Sequence, residues 1–168
     1  FYNCSLAENI ILSENVTSIN QYAFANCSSV SKFNSNDISK MNIPDSCIQI
    51  GNYAFKGMAL LTNIVVFDSV ESIGQGAFNG FNSMESITLP FVGDRRDSSN
   101  GFSYIFGGIS SSLKKVCITD DVSIPSQAFD GCTMLENITI SDNVDYIGSY
   151  AFRNCSHLSI LNSDEAGV

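Results

Sequence analysis

Apolar residues return along this chain in a fixed rhythm. The pair Ala-Phe stands at Ala23-Phe24, Ala54-Phe55, Ala77-Phe78, Ala128-Phe129 and Ala151-Phe152, and Phe1 and Phe106 fill the same slot with other neighbours. The steps between these phenylalanines are 23, 31, 23, 28, 23 and 23 residues, so the longer two are one frame with 8 and 5 residues added. Self-similarity at such a period is the mark of a stacked repeat architecture. One unit reads Leu135, Ile138, Ile140, Val144, Ile147, Phe152, Cys155 in its apolar columns, and the first unit fills them with Ala7, Ile10, Leu12, Val16, Ile19, Phe24 and Cys27.

Each unit opens with an apolar position every second residue, as in "NITI" at 137–140, which predicts a short strand with one buried face. A polar turn follows, then a V-x-x-I stretch, then a Gly or Asn expected to take positive φ, and a compact A-F-x-x-C segment expected to be a helical or 3₁₀ turn. One strand per 23 residues leaves no room for a return hairpin, so successive strands run parallel. A lone unit cannot fold: seven apolar side chains contribute roughly 1.5–3 kcal/mol apiece when buried. Ordering each of its residues costs about 1–2 kcal/mol. Neighbours must therefore cover both faces of a unit.

The frame I-x-I-x-x-x-V-x-x-I-G-x-x-A-F-x-x-C-x-x-L, carried by "ITISDNVDYIGSYAFRNCSHL" (138–158), "IILSENVTSINQYAFANCSSV" (10–30) and "MNIPDSCIQIGNYAFKGMALL" (41–61), resembles the BspA-like leucine-rich repeats of bacterial and protist surface proteins. The segment "LPFVGDRRDSSNGFSYIFGG" (89–108) resembles an enlarged unit of that family. The resemblance implies an α/β fold: a right-handed leucine-rich-repeat solenoid of about six coils, with one parallel β-sheet and short helical or 3₁₀ turns opposite. It also implies export or display on a cell surface, and binding of a protein ligand such as a host matrix or cell-surface protein. We expect residues 1–168 to form a single solenoid domain, cut from a longer chain because residue 1 already sits inside the frame. The frame dissolves after Leu161.

Composition narrows the function classes. A net charge of −9 with only Arg95, Arg96 and Arg153 as arginines argues against nucleic acid, whose phosphates need clustered basic residues. No apolar run is long enough to insert into a membrane. No P-loop, dinucleotide-binding glycine fingerprint or H-E-x-x-H zinc motif occurs. His157, the single histidine, precedes the core position Leu158 and reads as a surface residue at a turn. Cys4, Cys27, Cys132 and Cys155 share one column with Met58 and Phe81, so they read as buried free thiols. A Cys4–Cys27 bridge across adjacent coils is the alternative. Cys117 should face outward. N-x-S/T occurs at Asn3, Asn15, Asn26, Asn137 and Asn154, three of them within the repeat's own N-C-S. No metal, cofactor or catalytic constellation is expected.

Two surfaces remain as candidate binding sites. The outward face of the sheet should present Ile11, Asn42, Asn63, Val65, Phe67, Thr88, Lys115 and Thr139, on the side that solenoid curvature makes concave. Phe67 is its one aromatic anchor, the type of residue that dominates binding energy. The second surface is the inserts, near 31–38 and 91–104, since loops on a rigid scaffold carry recognition residues. Arg95, Arg96 and Tyr104 are the candidates there, with Asp94 and Asp97 as the arginines' partners and the aromatics Phe91 and Phe102 closing an enlarged coil. The turn after each strand carries an acid (Glu14, Asp45, Asp68, Asp120, Asp142) that reads as a solvated turn residue or, less simply, a cation ladder. A non-catalytic recognition or adhesion module is the first reading. A spacer that displays another domain is the alternative.

Overall fold

A computed structural model describes residues 1–108 and 111–162. Residues 163–168, where the frame was expected to have dissolved, lie outside the described residues. The strands are β1 (Asn9–Ile10), β2 (Ser18–Ile19), β3 (Lys32–Phe33), β4 (Lys40–Asn42), β5 (Gln49–Ile50), β6 (Asn63–Val65) and β7 (Ser72–Ile73), followed by β8 (Ser86–Leu89), β9 (Lys115–Ile118), β10 (Ser123–Ile124), β11 (Asn137–Thr139), β12 (Tyr146–Ile147) and β13 (Ile160–Asn162). A short helix, α1 (Phe102–Phe106), precedes β9. Eight strands form a parallel sheet in the order β1-β3-β4-β6-β8-β9-β11-β13. The V-x-x-I stretches add two ladders that were not expected, β2-β5-β7 and β10-β12.

The phenylalanine column is the spine of the core. Phe1, Phe24, Phe55 and Phe78 stack ring on ring at 5.3, 5.8 and 5.6 Å, and Phe106 continues the pile at 5.5 Å. The enlarged coil supplies two rings rather than one: Phe102 lies 4.2 Å from Phe106 and 5.4 Å from Phe129, which stacks on Phe152 at 5.6 Å. Among the described residues, the helical segment is confined to this coil. In the others, A-F-x-x-C is a series of hydrogen-bonded turns, such as Ala25 N–H to Tyr22 O and Cys27 N–H to Phe24 O.

Positive φ falls elsewhere than the sequence suggested. Tyr22, Tyr53, Gly76, Gln127 and Tyr150 take it, as do Asn26, Gly57, Gly80, Gly131 and Asn154. The Gly of the V-x-x-I-G element serves a different need, the close approach of one coil to the next. A Cβ on Gly51 would stand 2.5 Å from Gln21 N, on Gly74 2.4 Å from Asn52 N, and on Gly148 2.4 Å from Ser126 N. The same column holds Pro125 in the coil that follows the 91–101 segment, where the regular path is replaced. Gly51→Ala is expected to lower stability by about 1–3 kcal/mol, because backbone must move to admit the methyl. Gly108→Ala, with nothing within 4 Å of its Cβ, should melt like the parent in a thermal scan.

The first insert, expected near 31–38 as a loop, contains a strand. Lys32 and Phe33 pair with Asn9 and Ile10 as β3, one frame length on, and the eight added residues come after it. β4 then pairs with β3 (Lys32↔Lys40, Phe33↔Met41), so the sheet gains a strand where the phenylalanine column gains no ring. Phe33 fills the space this opens. It is fully buried and meets Phe24 and Phe55 edge-on at 5.2 and 5.3 Å, a favourable aromatic arrangement.

Candidate functional site

The extra strand shapes the sheet face beside it. β3 is only two residues long, and at Asn34 (φ 46) the chain turns out of the sheet, to rejoin it at Ser39 (φ 64). Asn34 stitches the exit: its Oδ1 accepts Leu12 N–H at 2.6 Å, and its carbonyl accepts Asn42 Nδ2 at 3.1 Å. Beyond that point residues 12–14 and 43–46 run on past the end of β3 and border an opening, with Asn34, Ser35 and Asn36 beside it. Ser46 Oγ closes the far end by donating to Val16 O at 2.9 Å. The result is an open cavity of about 820 Å³ with Ile11, Leu12, Ile43, Pro44 and Phe67 as apolar walls, and Asn34, Ser35, Asn36, Asn42, Glu14 and Asp45 at its edge.

Both surfaces suggested by the sequence thus meet, but at the first insert. Ile11 is 77% exposed and Phe67 40% exposed, on opposite sides of the cavity, and Asn42 lies between them, half-buried. Asn63 and Lys115 are exposed further along the face, while Val65 and Thr88 are half-buried in its outward row. Thr139 does not belong to an exposed face: at 7% exposure it is buried, with β9 paired on one side at Cys117 and β13 on the other. Cys117, expected outward and free, is half-buried in the same row, and burial followed by the nearby Asp68 carboxylate raises its pKa. Leu12, Asn34, Ile43 and Pro44 were not anticipated. The signal was present, since Phe33 lies one frame length after Ile10.

The second insert is mainly built into the scaffold. Arg96 packs its guanidinium 5.4 Å from the Phe91 ring, pairs with Asp120 at 2.6 Å, and donates to the carbonyls of Asp68 and Val70 at 2.7 and 3.2 Å. Its partner is therefore Asp120 rather than Asp97, whose Oδ1 accepts Ser123 Oγ. Tyr104 packs against the core, and its carbonyl accepts Gly76 N–H at 2.9 Å. Arg95 alone of the three is exposed, paired with Asp94 at 2.7 Å. Arg95 and Tyr104 lie along the β2-β5-β7 side, and none of the three lines the sheet-face cavity.

All six cysteines are free; Cys27, Cys47 and Cys132 are buried, but Cys4, expected in the core column, is exposed and Cys155 is half-buried. Cys27 and Cys155 donate to the carbonyls of Phe1 and Phe129 in the preceding coil, at 3.1 and 3.2 Å. Burial raises the Cys27, Cys47 and Cys155 pKa values and pushes that of Cys132 up to about 12. His157 is exposed, with Nδ1 2.6 Å from Thr133 O. Among the described residues, no group of three or more His, Cys, Asp or Glu is placed to hold a metal ion, and no helix is long and apolar enough to cross a membrane.

Stacked parallel coils, an aromatic spine and strand side chains free on one face define a leucine-rich-repeat solenoid, an architecture generally used for protein interaction or structural support. The chain belongs to the BspA-type leucine-rich-repeat family, whose repeat region matches in six copies over residues 1–90 and 29–158. Among solved structures it is similar to a leucine-rich repeat protein from Bacteroides ovatus, with 29% identity over 94% of this chain and a TM-score of 0.67. It is also similar to one from Eubacterium ventriosum, with 16% identity over 92% of this chain and 48% of that one, and a TM-score of 0.56. A leucine-rich cell surface protein from Faecalibacterium prausnitzii matches at 21% identity over 98% of this chain and 62% of that one, with a TM-score of 0.41. The chain spans 37% of the Bacteroides ovatus protein. No curated protein matches it.

Proposed function

We propose that the chain is a non-catalytic recognition module of an extracellular or cell-surface protein, a single solenoid domain within a longer chain that binds a protein partner through its sheet face. The observation that carries this reading is the pair Ile11 and Phe67, two large apolar side chains left in solvent on either side of a cavity. Exposed apolar surface rimmed by polar groups is the common mark of a protein contact. The family resemblance supports the surface location, with adhesion to host matrix or cell-surface proteins as the role. The continuous phenylalanine pile from Phe1 to Phe152 favours a second reading, a stiff spacer that displays another domain.

The two separate in one experiment. The purified chain is presented to extracellular matrix and cell-surface proteins at physiological salt, beside a Phe67→Glu variant. A recognition module binds at least one of them, and the variant loses that binding tenfold or more, as expected for a central aromatic anchor. Silence throughout supports the spacer. Binding that the variant keeps contradicts the assignment to the sheet face.

A further inference from the structure

Charged residues flank the sheet at both ends of its strands. Lys32, Lys40 and Lys115 stand in one register row, at the beginning of the strands. Acids stand at both ends: Asp37 pairs with Lys40 and Glu85 with Lys114 near the beginning, and a second row lies in the turns that follow. Arg96 covers two of those turns, through the Asp120 carboxylate and the Asp68 carbonyl. Asp68 also accepts the Thr119 hydroxyl. Glu14 and Asp45, which flank the cavity, are both exposed and have no ion pair among the described residues.

We infer that this cavity receives an extended, cationic segment of the partner protein, with an arginine or lysine beside an aliphatic residue. This deepens the recognition reading above and rests on it. The opening continues past the end of β3 between residues 12–14 and 43–46, so a chain lying along it follows the extended course of the strands. Ile11, Leu12 and Phe67 cover an aliphatic side chain or the methylene stem of a long basic one. The Phe67 ring adds a face for its cation. Glu14 and Asp45 receive the charged head from the two walls. An acidic segment would meet uncompensated carboxylates at both walls, so the same geometry rejects it.

The test uses two capped hexapeptides, Ac-Gly-Leu-Arg-Leu-Arg-Gly-NH₂ and its twin with glutamate for arginine, titrated into the ¹⁵N-labelled chain. The arginine peptide is expected to shift the amides of residues 11–14, 34–36, 42, 43, 45, 46 and 67 and to weaken with added salt. The glutamate peptide should shift none of them. A Glu14→Gln/Asp45→Asn chain, altered only in exposed turns, should keep its melting temperature and lose the arginine peptide at least tenfold. Ile11→Ser should weaken it with both charges in place. Shifts elsewhere, no shifts, equal response to both peptides, or undiminished binding by the neutralised chain would each overturn the inference. A matrix protein held equally by the parent and the neutralised chain overturns this inference alone and leaves the recognition reading standing.

Discussion

Phe55→Ala is expected to lower folding stability by about 3–5 kcal/mol, the range for emptying a well-packed aromatic site. Phe55 is fully buried between stacked Phe24 and Phe78, at 5.8 and 5.6 Å, with the Phe33 ring edge-on at 5.3 Å. Collapse around the gap is restricted, because each of these rings is held by its own coil. In a solenoid the coupling runs only between neighbours, so a defect at this height also weakens the link between the coils on either side. Urea unfolding followed by far-UV circular dichroism should show an earlier and broader transition. Phe1→Ala provides the comparison: Phe1 is 72% exposed and should cost far less. Equal losses at the two positions would mean that the aromatic pile is not the spine of the fold.

Asp121→Ala is expected to cost about 1–3 kcal/mol, chiefly from the buried Val92 N–H left without an acceptor. Asp121 is fully buried beneath the second insert. Its Oδ2 accepts Val92 N–H at 2.9 Å, and its Oδ1 accepts Asp97 N–H at 3.1 Å and its neighbour Val122 N–H at 3.0 Å. This carboxylate pins the two ends of the turn 92–97 to the next coil. Hydrogen exchange should rise first in residues 92–97, and Asp121→Asn, which keeps one acceptor oxygen, should fall between parent and alanine. Arg95→Ala, at the exposed edge of the same turn, should stay within about 0.5 kcal/mol. A silent Asp121→Ala would show that the insert is held by Phe91, Val92 and Phe102 packing alone.

The frame made the stack legible because each apolar column is buried by its own kind in the next coil, so sequence spacing and spatial contact coincide. Ile10, Ile64, Ile87, Val116 and Ile138 reach the core as the alternation requires. Column logic also placed Ile11 and Phe67 correctly in solvent. It failed where a residue's surroundings come from outside its own unit. Thr139 has the same alternation as Ile11, but β9 and β13 close over it on both sides. The glycine column could be read as a demand for positive φ or for close approach, and only the stacked backbone distinguishes them. The eight-residue insert could be placed before or after β3 by counting apolar residues. Phe33 edge-on between two stacked rings decides it, and with it the location of the cavity.

The central claim, recognition through the sheet face at the first insert, is tested most directly by hydrogen exchange on the chain bound to a partner from the matrix and cell-surface panel. The account predicts new protection at residues 11–14, 34–36, 42–46 and 65–67, with exchange at 94–104 unchanged. Protection confined to 94–104 or to the β2-β5-β7 side would contradict it and move recognition to the second insert.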